Sequence, residues 1–166
     1  MKAEIISVGT ELLIGSILNT NARFLSQALA QNAVDVYHQT TVGDNVERVA
    51  QAFKNAVRRA DLVITSGGLG PTEDDVTVQG LCQFLGVEPV FDKKTHRYIS
   101  GRVRSYRHRM TRLIAKQCYV PPGSAILQNR YGTAPGLLCK ASYEGRPKWI
   151  LVLPGPPREL EPMFTG

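Results

Sequence analysis

The sequence predicts an α/β protein in which a mainly parallel sheet carries helices on both faces. Three observations support this prediction. Short apolar runs alternate with amphipathic segments three times before Gly86, the connections between them are short, and 166 residues suffice for one domain with a buried core. Strands that alternate with helices are typical of parallel sheets, because each crossover helix packs back onto one face.

The first half of the chain supplies the three strand–helix units. Residues 3–8 form an apolar run closed by Gly9, which predicts a buried strand, and residues 19–32 predict a helix capped by Asn19. Residues 34–42 predict the second strand, followed by a strongly amphipathic helix that Asp44 or Asn45 would cap. Residues 62–65 predict the third strand, 66–71 a glycine-rich turn, and 75–85 a helix that Gly86 ends.

The second half is less regular. A basic segment at residues 93–117 precedes candidate strands at 125–128, 136–141 and 148–153, the last two separated by a hairpin loop at 142–147. Trp149 lies in an apolar strand, and we expect it in the core. Pro156 and Pro157 begin one more helix.

The positive charge is concentrated in the basic segment. The chain has a net charge of +6, but nine cations and no acid fall within residues 93–117, which leaves −3 for the rest. Such a segment could bind an anionic partner. Alternatively it is a solvated helix, because Ile99, Val103 and Tyr106 have the spacing of a buried face. No helix-turn-helix, zinc-finger or RNP pattern accompanies the charge, which disfavours a nucleic-acid partner.

The composition also indicates a compartment. No apolar run reaches the roughly 18 residues of a membrane span, and the first residues lack the apolar stretch of a signal peptide. Cys82, Cys118 and Cys139 form no CxxC pair, which is typical of reduced thiols. We therefore expect a cytoplasmic protein without a membrane partner.

Unusual residues follow four of the predicted strands. In parallel sheets ligands bind beyond the carboxyl ends of the strands, so the segments beginning at residues 9, 43, 66 and 154 should share one rim. The glycine-rich loop is the most informative, because its glycines let the backbone approach a phosphate and lead into a helix N-terminus. Its spacing is neither GxGxxG nor a Walker motif.

Acidic residues flank this predicted phosphate cradle. Glu73 and Asp74 could simply cap the helix that follows them, and Asp44, at the end of the second strand, could cap the helix after it. Three acids in a row exceed what a cap requires, and carboxylates beside phosphates suit a divalent cation such as Mg²⁺, Mn²⁺ or Co²⁺. Asp44 and Asp75 are therefore candidate metal ligands or water activators, with Glu11 near them.

Six motifs together resemble one known family. They are GTELLIG at residues 9–15, NTN at 19–21, VGDN at 42–45, GGLGPTEDD at 67–75, GTAPG at 132–136 and LPGPP at 153–157. In this order they resemble the N-terminal domain of CinA, the competence/damage-inducible protein, over almost the whole chain. Lys116-Gln117 resembles a short Lys-Gln element of the same family.

The resemblance implies a fold and a wider context. It implies a three-layer α/β/α sandwich with a mostly parallel mixed sheet, shared with molybdenum-cofactor biosynthesis proteins that bind or adenylylate molybdopterin. It implies a dimer or trimer, and a single domain at 1–166 that a nicotinamide-mononucleotide deamidase domain would follow in a longer protein. We expect the chain to be cut before that domain.

Three functions remain open on the sequence. The first, by resemblance to CinA, is metal-dependent hydrolysis of ADP-ribose to AMP and ribose 5-phosphate, with Asp44, Asp75 and Glu11 as catalytic residues and the two aspartates as metal ligands. The second is binding or adenylylation of molybdopterin, and the third, less favoured, is nucleic-acid binding through residues 93–117. For a nucleotide or pterin, the hypothesis assigns ligand contacts to Thr10, Asn19, Asn21, Gly67, Gly68, Gly70, Pro71, Thr72, Asp74, Thr133, Gly136, Pro154 and Gly155.

Overall fold

A computed structural model describes residues 1–105 and 109–166. The predicted face position of Tyr106, and with it residues 106–108 of the basic segment, lies outside the described residues. The elements in chain order are β1 (Lys2–Val8), α1 (Thr10–Leu13), α2 (Thr20–Gln31), β2 (Asp35–Val42), α3 (Val46–Arg59), β3 (Leu62–Ser66), α4 (Thr77–Leu85), β4 (Val90–Phe91), α5 (Lys93–Ser105), α6 (Arg112–Lys116), β5 (Tyr119–Val120), β6 (Ala125–Leu127), β7 (Gly136–Tyr143), β8 (Arg146–Leu153) and α7 (Pro157–Thr165).

The main sheet has six strands in the order β2-β1-β3-β8-β7-β6. Strands β2, β1, β3 and β8 are parallel neighbours, and β7 pairs antiparallel with both β8 and β6. The predicted α/β fold with a mostly parallel mixed sheet is therefore confirmed. Strands β4 and β5 form a separate antiparallel pair.

Helices cover the sheet on both faces, as the alternating strand pattern requires. Ile6 on β1 packs with Phe53 of α3 in one apolar cluster, which also contains α4. The neighbouring Ile5 points to the opposite cluster, with Leu25 of α2 and Leu160 of α7. Successive strand residues thus alternate between two cores, which produces three layers.

Local side-chain bonds begin two of the predicted helices. The Asn19 side chain accepts a hydrogen bond from the Ala22 amide at 3.1 Å, so its predicted capping role is confirmed. Asn45, and not Asp44, caps α3 by accepting from the Arg48 amide at 3.0 Å. Gly86 ends α4 in the left-handed conformation, as predicted.

Other details differ from the sequence prediction. Helix α4 begins at Thr77 without a side-chain cap, so the capping roles of Glu73 and Asp74 are wrong. The basic segment contains two helices, α5 and α6, and in α5 Ile99 and Val103 are buried as expected. The hairpin loop shrinks to two residues, because β7 extends to Tyr143 and β8 begins at Arg146.

The three cysteines are free and buried. Burial raises the pKa of Cys82 and of Cys139 to about 11 and raises that of Cys118 as well. Thiols held in this protonated state are poor nucleophiles, so none is a candidate for covalent catalysis. Among the described residues, no helix has the length and apolar character needed to cross a bilayer.

Candidate functional site

A cleft of about 720 Å³ opens at the carboxyl ends of the parallel strands. Segments that follow β1, β2, β3 and β8 all contribute to its wall, as the predicted rim requires. Of the residues assigned to the site from the sequence, those lining it are Glu11, Asn19, Asn21, Asp44, Gly67, Gly68, Gly70, Pro71, Thr72, Asp74, Asp75, Thr133, Pro154 and Gly155.

Two assigned residues do not line the cleft. Gly136 is buried at the start of β7, where a Cβ would lie 2.5 Å from the sulfur of Met163. Thr10 contacts the site through Asp44, because its amide and its hydroxyl both donate to Asp44 Oδ2 at 2.8 Å. Thr10 therefore orients a carboxylate.

Asp44 and Glu11 each carry an accessible carboxylate oxygen in the cleft, and so does the exposed Asp74. Thr10 occupies only one oxygen of Asp44, and the other accepts no hydrogen bond in the described part of the chain. The Glu11 carboxylate lies beside Gly9 and has no hydrogen bond or ion pair to a described residue. Both acids can therefore accept a proton or a cation without breaking a contact of the fold.

The glycine loop, defined as residues 67–76, joins β3 to α4. Gly67 has φ of 99°, and a Cβ there would lie 2.2 Å from the carbonyl oxygen of Val8, so only glycine fits between the strands. The Gly67 amide donates to the Leu153 carbonyl at 3.1 Å, and its carbonyl accepts from Thr77 Oγ1 at 2.8 Å. These bonds tie the loop to β8 and α4.

Asp75 folds back onto the same loop and does not begin the helix. One carboxylate oxygen accepts from the Gly70 amide at 2.8 Å, and the other accepts from the amide of Thr72 at 2.9 Å and from its hydroxyl. A carboxylate that satisfies two loop amides stabilises the turn directly. Asp75 thus has a structural role in addition to the catalytic and metal-binding roles predicted for it.

Four cleft residues with polar side chains were not assigned from the sequence, and one of them is Thr20, the first residue of α2. Glu159 is buried near the start of α7, where it accepts from Asn129 Nδ2 at 2.7 Å. Gln117 follows α6 and donates to the Leu69 carbonyl at 2.9 Å, and Ser66 ends β3. The Lys-Gln element was a signal for Gln117, whereas the acid after Pro156-Pro157 indicated only a helix start.

Comparison with known proteins places this geometry in a family. A family model described as "Probable molybdopterin binding domain" matches residues 4–166. The crystal structure of CinA from Thermoplasma acidophilum has a TM-score of 0.90 and 35% identity, covering 99% of this chain and 94% of that one. The chain belongs to this molybdopterin-binding domain family, which includes CinA.

Other similar proteins differ in length and in degree of similarity. A CinA-like protein of Kosmotoga olearia is 49% identical over 99% of this chain but only 39% of its own length, so the chain spans about two fifths of that curated relative. The tungsten cofactor synthesizing protein MoaB of Pyrococcus furiosus has a TM-score of 0.64 at 15% identity, covering 98% of this chain and 86% of that one. At that identity the likeness concerns the fold alone.

The acids of this CinA-like cleft can be tested against the needs of a divalent cation. Across residues 1–105 and 109–166, no group of three or more His, Cys, Asp or Glu side chains could hold an ion alone. Mg²⁺ commonly takes one or two protein carboxylates and completes its shell with phosphate oxygens and water. Asp44 has a carboxylate oxygen without a hydrogen bond, and Asp75 lies in the same cleft. The two acids are therefore compatible with a Mg²⁺ ion that takes its remaining ligands from phosphate and water.

Proposed function

We propose that the chain hydrolyses the pyrophosphate of ADP-ribose or a closely similar nucleotide, releasing AMP and ribose 5-phosphate. The observation that carries this proposal is the pair of unpaired carboxylate oxygens, on Asp44 and Glu11, in one cleft with the glycine loop. A cleft of about 720 Å³ has room for a dinucleotide-sized ligand. The resemblance to CinA supports the choice of ADP-ribose.

Each residue has a distinct part in the proposed reaction. A water oxygen forms a bond to one phosphorus, the bond from that phosphorus to the bridging oxygen breaks, and the water proton passes to Asp44 or Glu11. Thr10 keeps the Asp44 carboxylate in one orientation through its two hydrogen bonds. Asp44 and Asp75 would hold a divalent cation, which when bound neutralises charge on the pyrophosphate.

The amide side chains of α2 and its cap would bind the sugar or base. Asn21 donates to the Gly155 carbonyl at 2.6 Å, so its carboxamide oxygen must face elsewhere, and that oxygen is buried without a partner. A ligand hydroxyl or amino group could supply the missing donor. The Asn19 side chain already donates to Ser7 Oγ and accepts from the Ala22 amide. It therefore has less capacity than Asn21 to bind a ligand.

The proposal is tested by incubating the protein with ADP-ribose and Mg²⁺, Mn²⁺ or Co²⁺ in turn and measuring AMP. We expect AMP to form, and Asp44→Asn to lower kcat about 100-fold, as expected on removal of a general base or charge-stabilising group. The matched control is Asp35→Asn, because Asp35 is exposed at the opposite end of β2. Absence of AMP with all three metals, or equal rates for the two variants, would reject the proposal.

The second candidate function is binding or adenylylation of a molybdopterin-type pterin. The family description and the MoaB-like fold favour it, and so does the apolar side of the cleft at Leu12, Ile17 and Leu18. It predicts that a reduced pterin binds with micromolar affinity and that ATP is consumed only when the pterin is present. A protein that hydrolyses ADP-ribose but does not bind the pterin excludes this candidate.

Self-association as a dimer or trimer stays a prediction from the family resemblance. Light scattering of the purified chain at several concentrations tests it directly. A monomeric mass at all concentrations would contradict it.

A further inference from the structure

Glu159 is a buried acid of the cleft wall that the proposed reaction does not use. It lies in the first turn of α7, is only 9% exposed and lines the cleft. One carboxylate oxygen, Oε2, accepts a hydrogen bond from Asn129 Nδ2 at 2.7 Å. The other, Oε1, has no hydrogen-bond partner among the described residues but still reaches solvent. Because Glu159 lines the cleft, this oxygen is available to a ligand there.

Asn129 fixes the orientation of this carboxylate. It is 1% exposed, and its amide nitrogen donates to the Ala134 carbonyl at 2.8 Å as well as to Glu159. Its side-chain oxygen accepts from the amides of Tyr131 at 3.0 Å and Gly132 at 2.9 Å, so both polar atoms of the side chain are used. A Cβ on Gly132 would collide with Glu159 Oε2, because the loop packs tightly against that oxygen. Oε2 therefore belongs to the fold, and only Oε1 is left for a ligand.

The fold alone supplies few groups that stabilise this buried charge. Burial of a carboxylate is unfavourable unless hydrogen bonds or an opposite charge compensate for it. In the described part of the chain, no cation forms an ion pair with Glu159. The N-terminus of α7 favours a nearby negative charge, but none of its described amides donates to Oε1. A hydrogen-bond donor on a ligand would complete the set.

The chemistry of this wall favours hydroxyl groups over phosphate. An ionised carboxylate only accepts hydrogen bonds, and it repels a phosphate anion. Asn21 adds a second acceptor, because it donates to the Gly155 carbonyl at 2.6 Å and its own oxygen has no partner. The neutral part of a nucleotide that offers neighbouring donors is ribose, whose hydroxyls are bound by acids in dinucleotide sites. The sugar therefore suits the wall that Glu159 and Gly155 form.

We propose that Glu159 is a specificity-determining residue that accepts hydrogen bonds from ribose hydroxyl groups of the ligand. The inference rests on the proposed function for its ligand class, a nucleotide, and names the part of the cleft that binds sugar. ADP-ribose contains two riboses, one in the adenosine and one at the terminus, and the same chemistry serves either. Glu159 takes no proton in the reaction, so the inference concerns affinity and not hydrolysis.

Isothermal titration calorimetry without added metal tests the inference with fragments of the ligand. AMP and ribose 5-phosphate are each compared with their 2-deoxy and 3-deoxy analogues, so that the two sources of ribose are measured separately. We expect the wild-type protein to bind one of the two about tenfold more tightly than a deoxy analogue, the effect of a hydrogen bond to a charged group. The fragment that shows this preference identifies the ribose that Glu159 holds.

Glu159→Gln is the informative variant, because it keeps the contact with the fold and changes the free atom. Asn129 Nδ2 donates only to an acceptor, so the carboxamide oxygen takes the place of Oε2 and the NH₂ group replaces Oε1. An acceptor in the cleft thus becomes a donor, and the preference for ribose should fall below about twofold. Glu161→Gln is the matched control, because it removes the same charge from an exposed position of the same helix and should retain the preference.

The ratio of ribose to deoxyribose affinity separates recognition from a structural role. If Glu159→Gln weakens both ligands by the same factor and lowers Tm, the residue is a structural contact only and the inference is overturned. It is overturned as well if the wild-type protein prefers ribose in neither fragment, or if the two variants keep the same preference. A wild-type preference that Glu159→Gln removes, in a protein that forms no AMP from ADP-ribose, supports the inference and rejects the proposed hydrolysis. Formation of AMP without any preference for ribose rejects the inference alone.

Discussion

Glu4 places a carboxylate inside the sheet, in the middle of β1, where its side chain is 1% exposed. Arg59 donates to it twice, at 2.7 and 2.8 Å, and Thr40 donates at 2.8 Å. Burial alone would raise the pKa of Glu4, but these hydrogen bonds and the Arg59 charge outweigh it and hold the pKa below its usual 4.5. The ion pair joins the last turn of α3 to the two neighbouring strands β1 and β2.

This carboxylate predicts a pH-dependent stability. Because the folded-state pKa of Glu4 is lowered, the pair stabilises the fold above about pH 4.5, and the contribution is lost as the pH falls through the folded-state pKa. Arg59→Met should lower the free energy of unfolding by about 2 kcal/mol at pH 7, since it leaves a buried carboxylate with one donor. The difference from wild type should shrink as acid protonates Glu4.

Urea unfolding at pH 7 and at pH 4 measures both effects. Arg58→Met is the matched control, because Arg58 is the exposed neighbour in the same helix and contacts no acid among the described residues. If the two variants lose the same stability at pH 7, the ion pair does not contribute as described.

At the scale of elements, the sequence predicts the regular units well and the loop between them poorly. Apolar periodicity and the Asn caps predict β1, α2 and α3, because those signals are local. The start of α4 was misplaced because the acids at 73–75 look like caps, whereas Asp75 bonds backward to Gly70 and Thr72. Trp149 was expected in the core, but it is 39% exposed with Lys140 over its ring.

A glycine of the loop and a glycine of α5 predict opposite responses to the same substitution. Gly67→Ala should destabilise the protein by more than 2 kcal/mol and abolish AMP binding, since a methyl group would collide with the Val8 carbonyl at a positive φ. Gly101→Ala should stabilise it by roughly 0.5–1 kcal/mol, because Gly101 lies inside α5 with open space around it. Thermal and urea unfolding measure both variants, and a Gly67→Ala protein as stable as wild type would contradict the close approach.

At the scale of the whole molecule, the sequence predicts which loops lie together. It does not predict which side chains from distant parts of the chain contact those loops. The strand ends share one rim because parallel order alone requires it. The contact of Lys116 with the glycine loop spans 41 residues along the chain, and no local pattern encodes it. The Lys-Gln element was visible in the sequence, but its contacts with the loop depend on where α6 packs.

The uneven charge distribution leads to the final prediction, which concerns how an anionic substrate approaches. Residues 93–117 carry nine cations, and α6, the last helix of that segment, ends at Lys116 on the loop of the cleft. Replacing Lys93, Lys94 and Arg97 of α5 by Gln should lower kcat/KM for ADP-ribose about threefold at low salt and leave kcat unchanged, because the lost effect is long-range attraction. Since that attraction is screened within about 10 Å at 0.1 M salt, the deficit should vanish near 0.5 M NaCl.

A control with the same change in net charge makes this prediction specific. Replacing Lys54, Arg58 and Arg146 by Gln also removes three exposed cations, but from α3 and from the start of β8, at the end of the strand opposite the cleft. If position matters, this variant keeps the wild-type kcat/KM and salt slope, whereas the α5 variant does not. Equal deficits in the two variants would mean that the substrate responds only to total charge, and the basic segment would then have no directing role.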